Sequence, residues 1–156
     1  MSSTQPAIIL VDKDPALRSA LEFSFRLDGF RVCAFESGEA LLAGAVPTAG
    51  CLVVDYDLPG MNGLQLIDQL RRRAAEFPMV LVGTQPTRAV RAAADAASVP
   101  IVEKPLMSDT LLTTVQRVIA EHSLSRANPG EHNRAGRGAQ ATAAEGFSSR
   151  RTNDAP

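Results

Sequence analysis

Up to residue 105 the chain is punctuated by five short apolar runs, "AIILV" (7–11), "FRVCAF" (30–35), "CLVVDY" (51–56), "MVLVG" (79–83) and "PIVEKP" (100–105), each followed by a helix-patterned segment. A strand that is apolar at nearly every position must be covered on both faces, and alternating helices supply that cover over a parallel sheet. The pattern predicts a doubly wound α/β domain.

The helix signals sit where such a domain needs them. In "DPALRSALEFSFRLDG", Asp14 suits the N-cap, Pro15 the first helical position and Gly29 the residue past the end. Leu17, Leu21 and Phe25, with Ala20, Ser24 and Leu27 beside them, make the expected sheet-facing stripe. Ser37 opens a short Ala/Leu helix that breaks at "VPTAG"; Leu64, Ile67 and Leu70 stripe a third, which ends in "RRR" (71–73), read as a solvated terminus favourable to the helix dipole. "TRAVRAAADAAS" (87–98) gives a fourth helix, and Ser108 caps a last one carrying Leu111, Leu112, Val115, Val118 and Ile119. Cys33 and Cys51 lie inside strand runs and read as buried thiols.

A formal net charge of −1 argues against an electrostatic grip on nucleic acid or an anionic membrane. No apolar run approaches the roughly 20 residues of a membrane span, and the polar start "MSSTQP" is unlike a signal peptide. A cytoplasmic protein is expected. Residues 1–5 are expected to be flexible and 6–124 to form the domain; residues 125–156 lack Leu, Ile and Val and are expected to be disordered.

In doubly wound sheets the ligand site lies beyond the carboxyl ends of the strands, where strand order reverses. Asp12 and Lys13, Asp55 and Asp57, Gly83 and Thr84, and Lys104 all follow or end strands there. Clustered carboxylates repel and persist only beside a cation, and hard oxygen ligands favour Mg²⁺. Asp55, at the tip of a central strand, is placed to attack phosphorus as a carboxylate nucleophile. Lys104 can pair with phosphoryl oxygens as a point charge. Gly83 lets a phosphoryl group approach the backbone.

Over about residues 6–122, the markers "VDKDPALR", "VVDYDLPGMNGLQLI" and "VEKPL" resemble those of the receiver domains of two-component response regulators. That resemblance implies a flavodoxin-like five-stranded parallel sheet of order 2-1-3-4-5. It implies Asp55 as acceptor of a phosphoryl group from a histidine kinase or histidine phosphotransfer protein, and Mg²⁺ held by Asp12, Asp55 and the backbone carbonyl of Asp57. Lys104, with Gly83 and Thr84, would contact the phosphoryl group, and the Lys104–Pro105 bond would be cis. Such a domain is a signalling module rather than an enzyme. With a tail too short for a helix-turn-helix domain, it would signal through contact with a downstream protein.

Three positions depart from the family pattern. Lys13 stands where the second acid of the pair is usual, so weaker Mg²⁺ binding is implied; its ammonium either enters the pocket or swings into solvent. Gly83 holds the switch Ser/Thr position, with Thr84 one step later, and Ile101 holds the switch position usually given to an aromatic. These departures keep a second reading open, a pseudo-receiver that binds partners without phosphate. A third reading, a haloacid-dehalogenase-type phosphatase built on "DYD", needs that motif on the first core strand rather than the third. Only two of the 16 basic residues are lysines, Lys13 and Lys104, and both fall at the site.

Overall fold

A computed structural model describes residues 6–47, 49–106 and 109–127. Five parallel strands, β1 (Ala7–Val11), β2 (Arg31–Phe35), β3 (Cys51–Asp55), β4 (Met79–Gly83) and β5 (Ile101–Glu103), form one sheet in the order β2-β1-β3-β4-β5. Between and after them run α1 (Pro15–Leu27), α2 (Gly38–Ala43), α3 (Gly63–Arg72), α4 (Arg88–Ala96) and α5 (Thr110–Ala127). The chain divides at His122 into two units, and the described part of the second, residues 123–127, is helical. The expected flexible start (1–5), the tail from residue 128 and the expected cap Ser108 lie outside the described residues.

The period-2 alternation of the strands sorts their side chains onto two faces. Ile9, Val11, Leu52, Val54, Met79 and Leu81 pack with Leu41 of α2, Leu66, Ile67 and Leu70 of α3, and Ala94 of α4. Ile8, Leu10, Cys51, Val53, Val80, Val82 and Val102 pack with Phe25 of α1 and Leu111, Val115 and Val118 of α5. Each face is sealed by its own helices, which is why the three inner strands tolerate no polar residue until Asp55.

The caps are local sequence events. Asp14 Oδ1 accepts from the N–H groups of Ala16 and Leu17, Pro15 opens α1, and Gly29 leaves it at φ 92°. Asn62 and Gln65 form a reciprocal capping box at the start of α3.

Four expectations need correction. Ala20, Ser24 and Leu27 are exposed, Leu27 at 72%; Leu27 lies two residues from Phe25, about 200° round the helix, and so faces away from the sheet. Cys33 is exposed because β2 is an edge strand and the six-residue α2 is too short to cover all of it. Only Cys51 is a buried thiol, pushed up to about 12 by burial. The arginine run is more than a solvated end, since Arg71 donates to the Ala97 carbonyl at the end of α4 and Arg73 to the Leu42 carbonyl in α2. Leu66, outside the expected stripe of α3, is fully buried.

One glycine fixes how closely α3 approaches the sheet. A Cβ on Gly63 would lie 2.6 Å from the Asp55 carbonyl oxygen and 2.8 Å from Leu81 Cδ1, while its N–H donates to the Tyr56 carbonyl at 2.9 Å. Gly63→Ala should therefore push α3 off the end of β3 and lower stability by about 1–3 kcal/mol, the usual cost of overpacking. A urea midpoint equal to that of the parent would show that the helix shifts freely.

Candidate functional site

β1 has neighbours on both sides, and the chain moves out to β2 before returning to β3 on the other flank. The crevice between the ends of β1 and β3 is thus the switch point of the sheet. The backbone of Asp12 is held from two directions there: its N–H donates to the Phe35 carbonyl at 3.1 Å, and its carbonyl accepts from Arg18 Nη1 at 2.7 Å. Arg18 comes from the first turns of α1, so the helix that Asp14 caps also anchors the acid before it.

Two carboxylates are buried in this crevice, Asp12 at 2% and Asp55 at 4% exposure. Asp12 Oδ1 accepts from the Asp14 N–H at 2.9 Å, and Asp55 Oδ1 from the Asp57 N–H at 3.2 Å. Their other oxygens face one ammonium: Lys104 Nζ stands 2.9 Å from Asp55 Oδ2 and 3.4 Å from Asp12 Oδ2. Lys104 reaches them because its N–H continues the β4–β5 ladder to the Gly83 carbonyl at 2.8 Å. The Lys104–Pro105 peptide is cis.

Lys13 stands between the two expected positions, lining the cavity at its edge. Its ammonium lies at the rim, 2.6 Å from Asp57 Oδ2, with the lysine side chain half exposed and the Asp57 side chain 77% exposed. The carboxyl group of Asp57 therefore faces outward, although its N–H points to Asp55.

Asp12, Lys13, Asp14, Asp55, Asp57 and Lys104 line one cavity of about 440 Å³, together with Tyr56, Gly83, Thr84, Val90 and Ile101. Gly83 is buried and Thr84 exposed. A Cβ on Gly83 would find no atom nearer than Pro86 Cβ at 3.9 Å and Tyr56 Cβ at 4.0 Å, so this wall of the cavity has room where a hydroxyl-bearing side chain could stand. Ile101 packs against the α2–α4 core face. Arg18, Gly63 and Tyr56 were not singled out from the sequence. The one available signal was their position: Arg18 one turn into the helix after Asp14, and Tyr56 and Gly63 within the "DYDLPGMNG" segment.

The electrostatics follow from burial. Desolvation pushes the Asp12 carboxyl up, and the Asp55 charge adds to it against the opposing Asp14 N–H and Lys104. Burial pulls the Lys104 ammonium down, but the hydrogen bond and charge of Asp55, with Asp12 behind it, outweigh this and leave it raised. The hydrogen bond that the Lys13 ammonium donates to Asp57 pushes that ammonium up.

The Mg²⁺ implied by the family resemblance can be tested against this donor set. Each oxygen of Asp12 and Asp55 accepts one hydrogen bond and keeps a second lone-pair direction. Two carboxylates completed by water suit Mg²⁺, which usually binds through one or two. The residues fit, as a sparse set: among the described residues no three His, Cys, Asp or Glu side chains are grouped to hold a metal ion.

A sequence model of the response regulator receiver domain matches residues 8–116. The chain is 34% identical over 130 residues to the C4-dicarboxylate transport transcriptional regulatory protein DctD of Rhizobium meliloti (strain 1021), covering 81% of this chain and 28% of that protein. It is 29% identical over 122 residues to the transcriptional regulatory protein FixJ of Bradyrhizobium diazoefficiens, covering 76% of this chain and 59% of that one. The chain thus spans between about a quarter and three fifths of these relatives. Among solved structures, a CheY-like receiver domain protein from Methanospirillum hungatei JF-1 superposes with a TM-score of 0.70 at 18% identity, over 77% of this chain and 98% of that one.

A raised carboxyl pKa means that ionised Asp12 opposes folding: the cost is absent below its ordinary value of 3.8, sets in as pH rises through that value and is complete above the raised folded value. Asp12→Asn should accordingly raise Tm at pH 7, with the gain vanishing as pH falls toward 3.8. Melting curves across that range check it, and a variant less stable than the parent at pH 7 contradicts it.

Proposed function

Because the chain belongs to the response regulator receiver domain family, we propose that Asp55 accepts a phosphoryl group from a phosphohistidine on a histidine kinase or phosphotransfer protein, and that the domain signals by contact with a downstream protein. Receiver domains are signalling modules that work with such kinases. The observation that carries the reading is the bridge from Lys104 to both buried acids. Asp55 lies at a strand tip, borders the cavity and has an ammonium 2.9 Å from one oxygen.

The chemistry is a displacement at phosphorus. An Asp55 carboxylate oxygen forms the new O–P bond, the P–N bond to the donor imidazole breaks, and the imidazole leaves with the electron pair. Lys104 then turns from a carboxylate oxygen to the phosphoryl oxygens, a short move for an ammonium on a flexible stem. Asp12, held by Arg18 and the Asp14 N–H, keeps Lys104 at the crevice while Asp55 reacts. When bound through Asp12, Asp55 and the Asp57 carbonyl, Mg²⁺ would neutralise phosphoryl charge.

Labelling with a small phosphodonor and intact-mass analysis tests the proposal. One phosphoryl group per chain is expected on the parent and none on Asp55→Asn. Equal labelling of the variant would move the acceptor elsewhere, and an unlabelled parent would favour a phosphate-independent binding module.

A further inference from the structure

We infer that Lys13 is a tethered cation that serves the phosphoryl group in place of part of the metal's charge, so that Asp55 is phosphorylated with little dependence on Mg²⁺. The inference rests on Asp55 being a phosphoryl acceptor and adds a residue and a metal requirement to that reading.

Several observations converge on it. The two lysines of the chain border the same cavity, one on each side of Asp55 in sequence. Lys104 is committed to Asp12 and Asp55, whereas Lys13 holds only Asp57. That rim pair, with side chains 50% and 77% exposed, belongs to the class of surface ion pairs that contribute little to stability. Its ammonium is therefore cheap to release. Lys13 and Asp55 line the same cavity.

Charge counting gives the direction. Asp12, Asp14, Asp55 and Asp57 line the cavity against two ammoniums, Lys13 and Lys104, and a phosphoryl group on Asp55 adds further negative charge there. No third acid is grouped with Asp12 and Asp55 among the described residues to draw a dication in. The Asp57 carboxylate is already paired with Lys13 at 2.6 Å, and Asp14 caps α1. On phosphorylation the Lys13 ammonium exchanges Asp57 for a phosphoryl oxygen and remains protonated throughout. With acetyl phosphate as donor, the O–P bond to Asp55 forms, the donor P–O bond breaks and acetate leaves with the electron pair.

The test compares initial phosphorylation of the full chain by acetyl phosphate in saturating Mg²⁺ and in EDTA, beside calorimetric titration with Mg²⁺ alone. The parent should give a Mg²⁺-to-EDTA rate ratio below about threefold, and Lys13→Ala should raise that ratio roughly tenfold or more, as loss of an electrostatic partner of the reacting group does. Lys13→Asp should bind Mg²⁺ more tightly than the parent, a readout independent of phosphorylation. A parent labelled on Asp55 only with Mg²⁺, or a Lys13→Asp that binds the metal no better, overturns the inference and leaves the receiver reading intact. No labelling of the parent in either condition overturns the receiver reading and this inference together.

Discussion

Everything at the site depends on one ammonium standing between two buried carboxylates. Asp12 and Asp55 are almost inaccessible, and Lys104 touches both. Two like charges at this depth would repel and lose their hydration with no return. A single close pair offsets this by about 4 kcal/mol at an effective dielectric of ~20, before desolvation is counted. The three charges are delivered by three strands, β1, β3 and β5, so the sheet order is part of the electrostatics. Disturbing that order strands a charge.

Small local devices hold those strand ends to the needed tolerance. Asp14 caps α1 while its N–H fixes Asp12 Oδ1, and Arg18, one turn further on, grips the Asp12 carbonyl. Gly63 lets α3 settle against the Asp55 carbonyl, where any side chain would collide. The apolar faces beneath are dense and two-sided, so they hold the backbone while the crevice keeps a carboxyl group in an unfavourable environment. A stable scaffold carrying a locally unfavourable site is the usual division between packing and function.

The departures from the family pattern alter the crevice without dismantling it. Gly83 leaves open space beside Tyr56, and Ile101 joins the core instead of offering a ring at the surface. Lys13 brings a second ammonium to a rim where an acid is usual and spends it on Asp57. Two buried acids remain in the crevice, and two lysine ammoniums line the same cavity.

By itself the sequence determined the architecture: apolar runs at every strand demanded a two-sided parallel sheet, caps such as Asp14 and Ser37 set helix starts, and the residues at strand ends named the candidate site. These are properties of neighbouring residues, and neighbours are what a sequence displays. Only the tertiary structure decided that Cys33 lies on an open edge, that Arg71 and Arg73 clasp adjacent helices, and that the Lys13 ammonium meets Asp57 at the rim. Each of those outcomes depends on which distant segment packs beside the residue. Lys13 meets a partner 44 positions away, at a distance set by sheet order and strand register, which no local pattern of side chains encodes.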